Sequence, residues 1–289
     1  IFSFFKLRYS YGVLGNQDVG AYEYIATMGS GKTSQIIDGE QPVYVNAPGL
    51  VSGGLTWEKV STSNLGVEMN FLNNRLTFNG DYYVRRTKDM LTTGEPLPNV
   101  LGTSVPKENT ADLKTEGWEI TLGWKDRFKL GGKPFDYQLG FNLADSRAYI
   151  TKFKNTTGVL SSNYEGKEIG EIWGYTTLGF FTSQEDIDNH ADQSKLASYA
   201  SSRPIAPGDL KFADLNGDGE VYRGANTLDD HGDLRVIGNS RARFTYGFTA
   251  GGNWNGFDLS LFLQGVGKKD YNPSGDLYFW GIYAQPWTN

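Results

Sequence analysis

Apolar and polar residues alternate one for one along most of this chain. In "RFTYGFTAGGNW", Phe244, Tyr246, Phe248, Ala250 and Trp254 are interleaved with Thr245, Gly247, Thr249 and Asn253, which is the period of a β-strand with one apolar and one polar side. Past the turn signal Asn255-Gly256, Phe257, Leu259, Leu261 and Leu263 alternate with Asp258, Ser260 and Gln264, and Phe262 alone intrudes on the polar side. The pair reads as a β-hairpin. The same rule predicts strands around Leu7 to Val13, Leu65 to Phe71, Leu76 to Val84, Trp118 to Trp124 and Phe135 to Leu143.

Two architectures share this alternation: a sandwich whose apolar faces meet, and a membrane barrel whose apolar face meets lipid while the polar face lines a lumen. Strand length separates them. The runs Arg75 to Thr92 and Phe135 to Phe153 exceed the ~5–6 residues usual in soluble strands and suit a tilted membrane strand of ~9–11 residues with an overhang. Aromatic pairs bracket strands, Trp118 with Trp124 and Phe244 with Trp254, as interfacial belts do. Connections alternate in length. Asn73-Asn74, Gly131-Gly132 and Asn255-Gly256 are tight, whereas 96–112 and 154–242 are long, matching short periplasmic turns and long extracellular loops. The expectation is an all-β, antiparallel transmembrane β-barrel, with residues 1–289 forming one partial barrel domain and the loop at about 154–242 outside the cell.

Composition narrows the chemistry. A hydrophobic share of 38% with 37 glycines is low for a thick globular core, and 17 Tyr, 17 Phe and 7 Trp supply much of the apolar surface. There is no Cys and there are only two His, His190 and His231, so thiolate zinc sites, cysteine nucleophiles and His clusters drop out, and no G-x-S-x-G or H-E-x-x-H pattern accompanies either imidazole. The net charge of −6, with Lys and Arg scattered, argues against a nucleic-acid partner. No stretch approaches the ~20 apolar residues of a membrane helix. The opening "IFSFFKLRYSYG" starts in mid-pattern with neither basic leader nor cleavage site, and the chain is read as a fragment or processed piece.

One stretch carries metal-like spacing. In "DLNGDGEVYRGA" the calcium-loop template finds Asp214, Asn216, Asp218 and the turn glycine Gly219, with Glu220 placed to offer its carbonyl. The twelfth position is Ala225, and Pro204, Pro207 and Gly208 forbid an entering helix, so this is no EF-hand. Asp229, Asp230 and Asp233 follow and can supply further oxygens. A structural Ca2+ pinning the loop is one reading; Asx and glycine turns that bind nothing are the other. "ATMGSGKT", Ala26 to Thr33, meets the loose phosphate-loop pattern, but Gly39 and Pro42 leave no room for the helix such a loop opens. It reads as strand end and loop. Trp173, Tyr175, Tyr278, Trp280, Tyr283 and Trp287 fall in predicted loops, where they either stack on substrate or serve interfacial anchoring and loop packing. Adjacent carboxylates such as Asp229 and Asp230 lack the separation of a glycosidase pair, and no enzymatic role is expected.

The stretches "LTWEKVSTSNLGVEMNFLNNRLTFNGDYYVRRTKDML", "LPNVLGTSVPKENTADLKTEGWEITLGWKD", "PGDLKFADLNGDGEVY" and "LRVIGNSRARFTYGFTAGGNWNGFDLSLFLQGVG" resemble the SusC/RagA family of TonB-dependent outer-membrane transporters of Bacteroidetes. The resemblance runs from "KLRYSYGVLGNQ" to the carboxyl end. It implies part of a 22-stranded barrel with an internal plug, energised through the TonB complex, sitting in outer-membrane lipid and capped by a SusD-like lipoprotein that captures oligosaccharide or peptide; the signal peptide, TonB box and plug of such a transporter are not recognisable in this stretch, which matches the middle and later barrel. In the family's usual form "DLNGDG" is followed within a few residues by Asp-Arg and "IG". Here an insertion ends in "DDHGDLRVIG", with Asp233 and Arg235 taking those places. The core ligands carry over as Asp214, Asn216 and Asp218. The alternative from another class is a secreted, calcium-stabilised β-sandwich that binds carbohydrate, using the same aromatics and the same loop.

Overall fold

A computed structural model describes residues 2–16, 25–94, 98, 100, 105–196 and 204–271. The elements run β1 (Phe2–Asn16), β2 (Ser30–Lys32), β3 (Val43–Val45), β4 (Glu58–Phe71), β5 (Leu76–Thr93), β6 (Lys107–Leu130), β7 (Lys133–Lys152), β8 (Glu171–Gly174), β9 (Thr177–Phe180), α1 (Gln184–Asp188), β10 (Leu210–Phe212), β11 (Arg235–Asn239), β12 (Arg243–Trp254) and β13 (Phe257–Lys268). Seven long strands form one sheet in the order β1-β4-β5-β6-β7-β12-β13. Each predicted strand is present. The chain divides into two compact units, Ile1–Ile120 with Ser146–Thr156 and Asn163–Lys167, and Thr121–Asp145 with Thr157–Ser162 and Glu168–Asn289.

In the first unit β1 pairs antiparallel with β4, and β4 with β5. Because side chains alternate across a strand, the registers sort them into two faces. Tyr9, Leu65 and Tyr82 form one row, as do Phe5, Met69 and Phe78. The opposite face carries Arg8, Gly66 and Asp81, then Lys6, Glu68 and Asn79. Arg8 donates to both Asp81 oxygens at 3.2 and 3.1 Å, and its Nε lies 2.8 Å from Glu68. The β4–β5 turn places Leu72, Asn73 and Asn74 at φ 53°, 57° and 64°, a left-handed run that Asn tolerates.

In the second unit β12 pairs antiparallel with both β7 and β13. The rows Phe141–Phe248–Leu263 and Leu139–Ala250–Leu261 make the apolar face, and Asn142–Gly247–Gln264 and Gln138–Gly251–Ser260 the polar one. The tight turns carry positive φ at Gly131, Gly132, Asn255 and Gly256, as primed hairpin turns require. Aromatics gather beside them. Phe128 and Phe135 have ring centroids 5.0 Å apart, Trp124 Nε1 donates to Tyr137 Oη at 3.0 Å, and Trp254 Nε1 donates to the Leu130 carbonyl at 3.0 Å.

A sandwich would bury its apolar rows. Here Leu7 is 62% exposed, Tyr9 70%, Leu259 74% and Leu261 46%, so the face is left for a non-aqueous surrounding. One boundary departs from expectation: β6 begins at Lys107, so the connection before it is 94–106 in place of 96–112. The added residues, "KENTAD", are polar apart from Ala111, which is buried. The Ser30–Lys32 stretch of "ATMGSGKT" pairs with Val43–Val45 as a small hairpin, as a strand end and not a phosphate loop.

Candidate functional site: the folded long connection

The connection between β7 and β12 is more than a loop. Its part in the second unit carries two small antiparallel ladders, β8 with β11 and β9 with β10. Its buried apolar residues are Leu160, Phe181, Leu196 and Val221, and the latter is fully inaccessible. α1 is capped by Ser183, whose hydroxyl accepts from the Asp186 N–H. Asp186 accepts from Lys211 Nζ at 2.6 Å and from the Thr182 N–H at 3.0 Å. Lys211 first, then the Thr182 amide, hold its carboxyl below the ordinary value.

Among the described residues, two fully buried polar side chains, Gln193 and Asp233, organise this unit. Gln193 donates to the Leu210 carbonyl at 2.7 Å and accepts from the Phe212 N–H at 3.2 Å, closing the open edge of β10 as a neighbouring strand would. Asp233 accepts three main-chain N–H groups, Leu215 at 2.6 Å, Tyr222 at 3.0 Å and Asn216 at 3.4 Å. It thereby ties both ends of the acidic turn to one carboxylate. Val221 is anchored by main-chain bonds between Asp192 and residues 219 and 221, 2.9 and 2.7 Å long.

Within the turn, Asp214 accepts from the Gly217 N–H at 2.6 Å and the Gly219 N–H at 2.9 Å. Gly219 first, with Gly217 adding to it, holds the Asp214 carboxyl low. Asn216 Oδ1 accepts from the Asp218 N–H at 3.0 Å, and its Nδ2 donates to Asp218 Oδ2 at 2.9 Å. Asp218 Oδ1 accepts from the Glu220 N–H at 2.9 Å. These are nested Asx turns.

The seven residues proposed as cation ligands do not form one set. Asp214, Asn216 and Asp218 share the turn. The Glu220 carboxylate pairs with Lys195, Asp230 accepts from the Ala225 N–H at 2.9 Å, Asp229 is exposed, and Asp233 is saturated by main chain. Among the described residues no three His, Cys, Asp or Glu side chains gather as metal ligands would.

The aromatics divide. Trp173 lies in β8, half-buried, with Nε1 donating to Glu171 at 2.8 Å and its ring 5.6 Å from that of His231. Tyr175 sits 5.5 Å from Phe212. Burial pushes its hydroxyl pKa up, the Asp233 charge adding to the shift and that of Arg223 opposing it. Both take part in loop packing. Tyr278, Trp280, Tyr283 and Trp287 lie outside the described residues. Gln193 was not singled out from the sequence, where a lone Gln among polar residues gives no signal of burial.

In the first unit, Asn109 is a further organiser that the sequence did not flag. Its Oδ1 accepts from the Thr56 N–H at 2.8 Å, while Nδ2 donates to the Thr56 carbonyl at 2.9 Å and the Asp89 carbonyl at 2.5 Å. Asp89 has φ 58°, and its N–H is held by Asp112 at 2.9 Å.

Comparison with known proteins adds an independent finding. A family model described as TonB dependent receptor-like, beta-barrel, matches residues 5–200. The TonB-dependent receptor P39 of Formosa agariphila is 27% identical, the match covering 94% of this chain and 27% of that protein. The TonB-dependent receptor SusC of Bacteroides thetaiotaomicron is 25% identical over 91% of this chain and 25% of its own length. The chain thus spans about a quarter of these relatives. Among solved structures, the RagAB peptide importer in its "closed-closed" state superposes with TM-score 0.63 at 21% identity, covering 92% of this chain and 27% of that one. That likeness is one of fold.

Proposed function

Because the chain belongs to the TonB dependent receptor-like β-barrel family, whose members reside in the outer membrane, we propose that it supplies part of the wall and outer loops of an energy-coupled importer of glycan or peptide oligomers. The work is passage through the wall, with no bond made or broken by this chain. The observation that carries the reading is the seven-stranded antiparallel sheet with an exposed apolar face and a hydrogen-bonded polar face, in a chain whose family model covers residues 5–200. The apolar rows meet lipid, the polar rows face the lumen, and the long connections stand outside the cell. A SusD-like surface lipoprotein caps this outer side, and the TonB complex drives release.

The test uses the intact protein in its native cells. Purification in mild detergent should recover a surface lipoprotein with it, and oligomer uptake should stop when the proton gradient is collapsed. A protein that purifies alone and supports uptake without the gradient would sink the reading.

A structural Ca2+ at Asp214, Asn216 and Asp218 is a separate part of the proposal, supported by oxygen-bearing side chains at alternate positions of one glycine turn. Binding would require the Asn216–Asp218 side-chain bond to open. Calorimetric titration of the intact protein with Ca2+ should show one site that D214A removes, and no heat of binding would dismiss it.

A further inference from the structure

Along the apolar face of the first unit the residues change character toward one end. On β5 that face reads Leu76, Phe78, Gly80, Tyr82 and Val84, and the next two positions of the same parity are Arg86 and Lys88. Their partners across β4 are Ser61 and Lys59. This end adjoins the long connections and lies opposite the tight β4–β5 turn, so it is the outer one. From Leu76 to Val84 is about 26 Å of strand, or about 20 Å of depth at the roughly 40° tilt of membrane barrels. Arg86 and Lys88 come about 5 and 10 Å further out, at and just past the upper edge of an apolar band about 25 Å tall. Their stems can lie on the band while their charges reach the headgroups.

These charges are not balanced where they stand. Lys59 and Lys88 face each other directly across the two strands, a like-charge pair that works against the sheet. Arg86 and Lys88 are exposed, and among the described residues neither side chain has a carboxylate partner. Lys59, 62% exposed, lies 3.8 Å from Asp89, one long contact against three cations. Glu58 belongs to the polar face, where it accepts from the Leu91 N–H at 3.1 Å and from Asn16 Nδ2 at 3.0 Å. The second unit shows the contrast: Arg243, at the outer start of β12, is gripped by both oxygens of Asp145. An anion supplied from outside the chain would complete on β4–β5 what Asp145 completes there.

We infer that Lys59, Arg86 and Lys88 form a site on the outside of the wall for the phosphate of an anionic lipid headgroup in the outer leaflet, with the acyl chains lying on the apolar rows beneath. Charge selects the headgroup, and position selects a lipid over a free anion. The row directly below holds Tyr82 and Leu65, 48% and 46% exposed, which only a ligand carrying hydrocarbon would cover. The inference rests on the reading of this sheet as a membrane wall with its long connections outside, and it adds a lipid ligand to that wall. Each basic group beside such a headgroup changes affinity by about fivefold.

The test is native mass spectrometry of the intact protein released from nanodiscs that hold equal amounts of dioleoyl phosphatidic acid and dioleoyl phosphatidylcholine. Wild type should retain phosphatidic acid in preference, and R86Q/K88Q should cut the retained ratio by about twenty- to thirtyfold. R86K/K88R keeps the charges and should keep the preference. R85Q removes the same charge one residue away, on the polar face opposite Thr62, and should leave the ratio unchanged. K59Q, a single change at an exposed side chain, should lower it by about fivefold and decides the matter if the double variant fails to insert. A wild-type ratio near one, no change in R86Q/K88Q or K59Q, or an equal drop in R85Q would overturn the site. Release of the lipid by about 1 mM inorganic phosphate at fixed ionic strength would overturn it too, by showing a free-anion site. None of these results touches lipoprotein co-purification or gradient dependence, so the import reading stands or falls on its own.

Discussion

Replacing Asp233 by alanine removes the acceptor that three main-chain N–H groups share. Two of these bonds are short, 2.6 Å from Leu215 and 3.0 Å from Tyr222, and the third, from Asn216, is 3.4 Å. The side chain is fully inaccessible, so water does not readily replace it. A buried donor left without a partner costs about 1–3 kcal/mol. Taking about 1.5–2 for each of the two short bonds, and nothing for the long one, gives about 3–4 kcal/mol of local stability. In exchange terms that is about two to three orders of magnitude faster opening of the segment. Hydrogen exchange by mass spectrometry on the intact protein should show this in peptides covering 214–222. Peptides from β12 and β13 should be unchanged, because their ladder bonds are independent of the turn. D233N keeps one oxygen but turns an NH2 toward N–H donors, and it should fall between wild type and alanine. A chelator separates the rival explanation: if Asp233 acted through a bound cation, chelation would reproduce the D233A pattern. Unchanged exchange at residues 214–222 in D233A would refute the idea that this carboxylate holds the turn.

Three further outcomes are expected. Gly232 has φ 53°, and a Cβ there would lie 2.2 Å from the Tyr222 carbonyl oxygen and 2.6 Å from the Gly224 nitrogen; since main chain cannot swing aside, G232A should open the same segment by at least about 2 kcal/mol in the same exchange assay. On the sheet, L261R places a charge on the apolar face and should cost about 2–4 kcal/mol in urea unfolding from lipid bilayers, whereas S260R, one residue away on the polar face, should cost less than about 1 kcal/mol; equal costs would mean the faces are assigned wrongly. Asp214, Asp186 and Asp192 are all held below the ordinary carboxyl value of 3.8, so each contributes stability that is present above that value and lost as pH falls through the lower folded one. Protease resistance of residues 182–233 should therefore be flat from pH 7 to about 5 and fall only below about 4, and a loss centred near pH 6 would contradict this.

The sheet was legible because its strands are long enough for the alternation to repeat several times, and its tight turns because Asn and Gly mark left-handed backbone. The start of β6 was not. From Lys107 to Thr115 the residues are polar apart from Ala111 and Leu113, so the stretch shows no apolar alternation that marks a strand. The long connection hid its structure for a related reason. Strands of three to five residues are too short to display a period, and its core is assembled from single hydrophobic residues such as Phe181, Leu196 and Val221. The acidic turn shows a sharper limit. The spacing of Asp214, Asn216 and Asp218 is common to an ion site and to nested Asx turns, because both need oxygens at alternate positions. What distinguishes Asp233 from Asp229 is burial, on which four residues of sequence separation are silent.

The abundance of glycine, which first argued against a thick core, has a specific use on the polar face. A Cβ at Gly140 would sit 2.3 Å from Thr249 Oγ1, one at Gly247 2.4 Å from Asn142 Oδ1, and one at Gly117 2.5 Å from the Tyr83 hydroxyl. At Gly66 it would meet Asp81 at 2.6 Å and Arg8 at 2.8 Å. In each case a polar side chain from the neighbouring strand lies flat across a glycine instead of standing out from the sheet. Arg8 reaches Asp81 two strands away only because Gly66 lies between them. The polar groups are thereby held against the wall. A polar face built this way keeps its charges paired and its side chains low against the sheet.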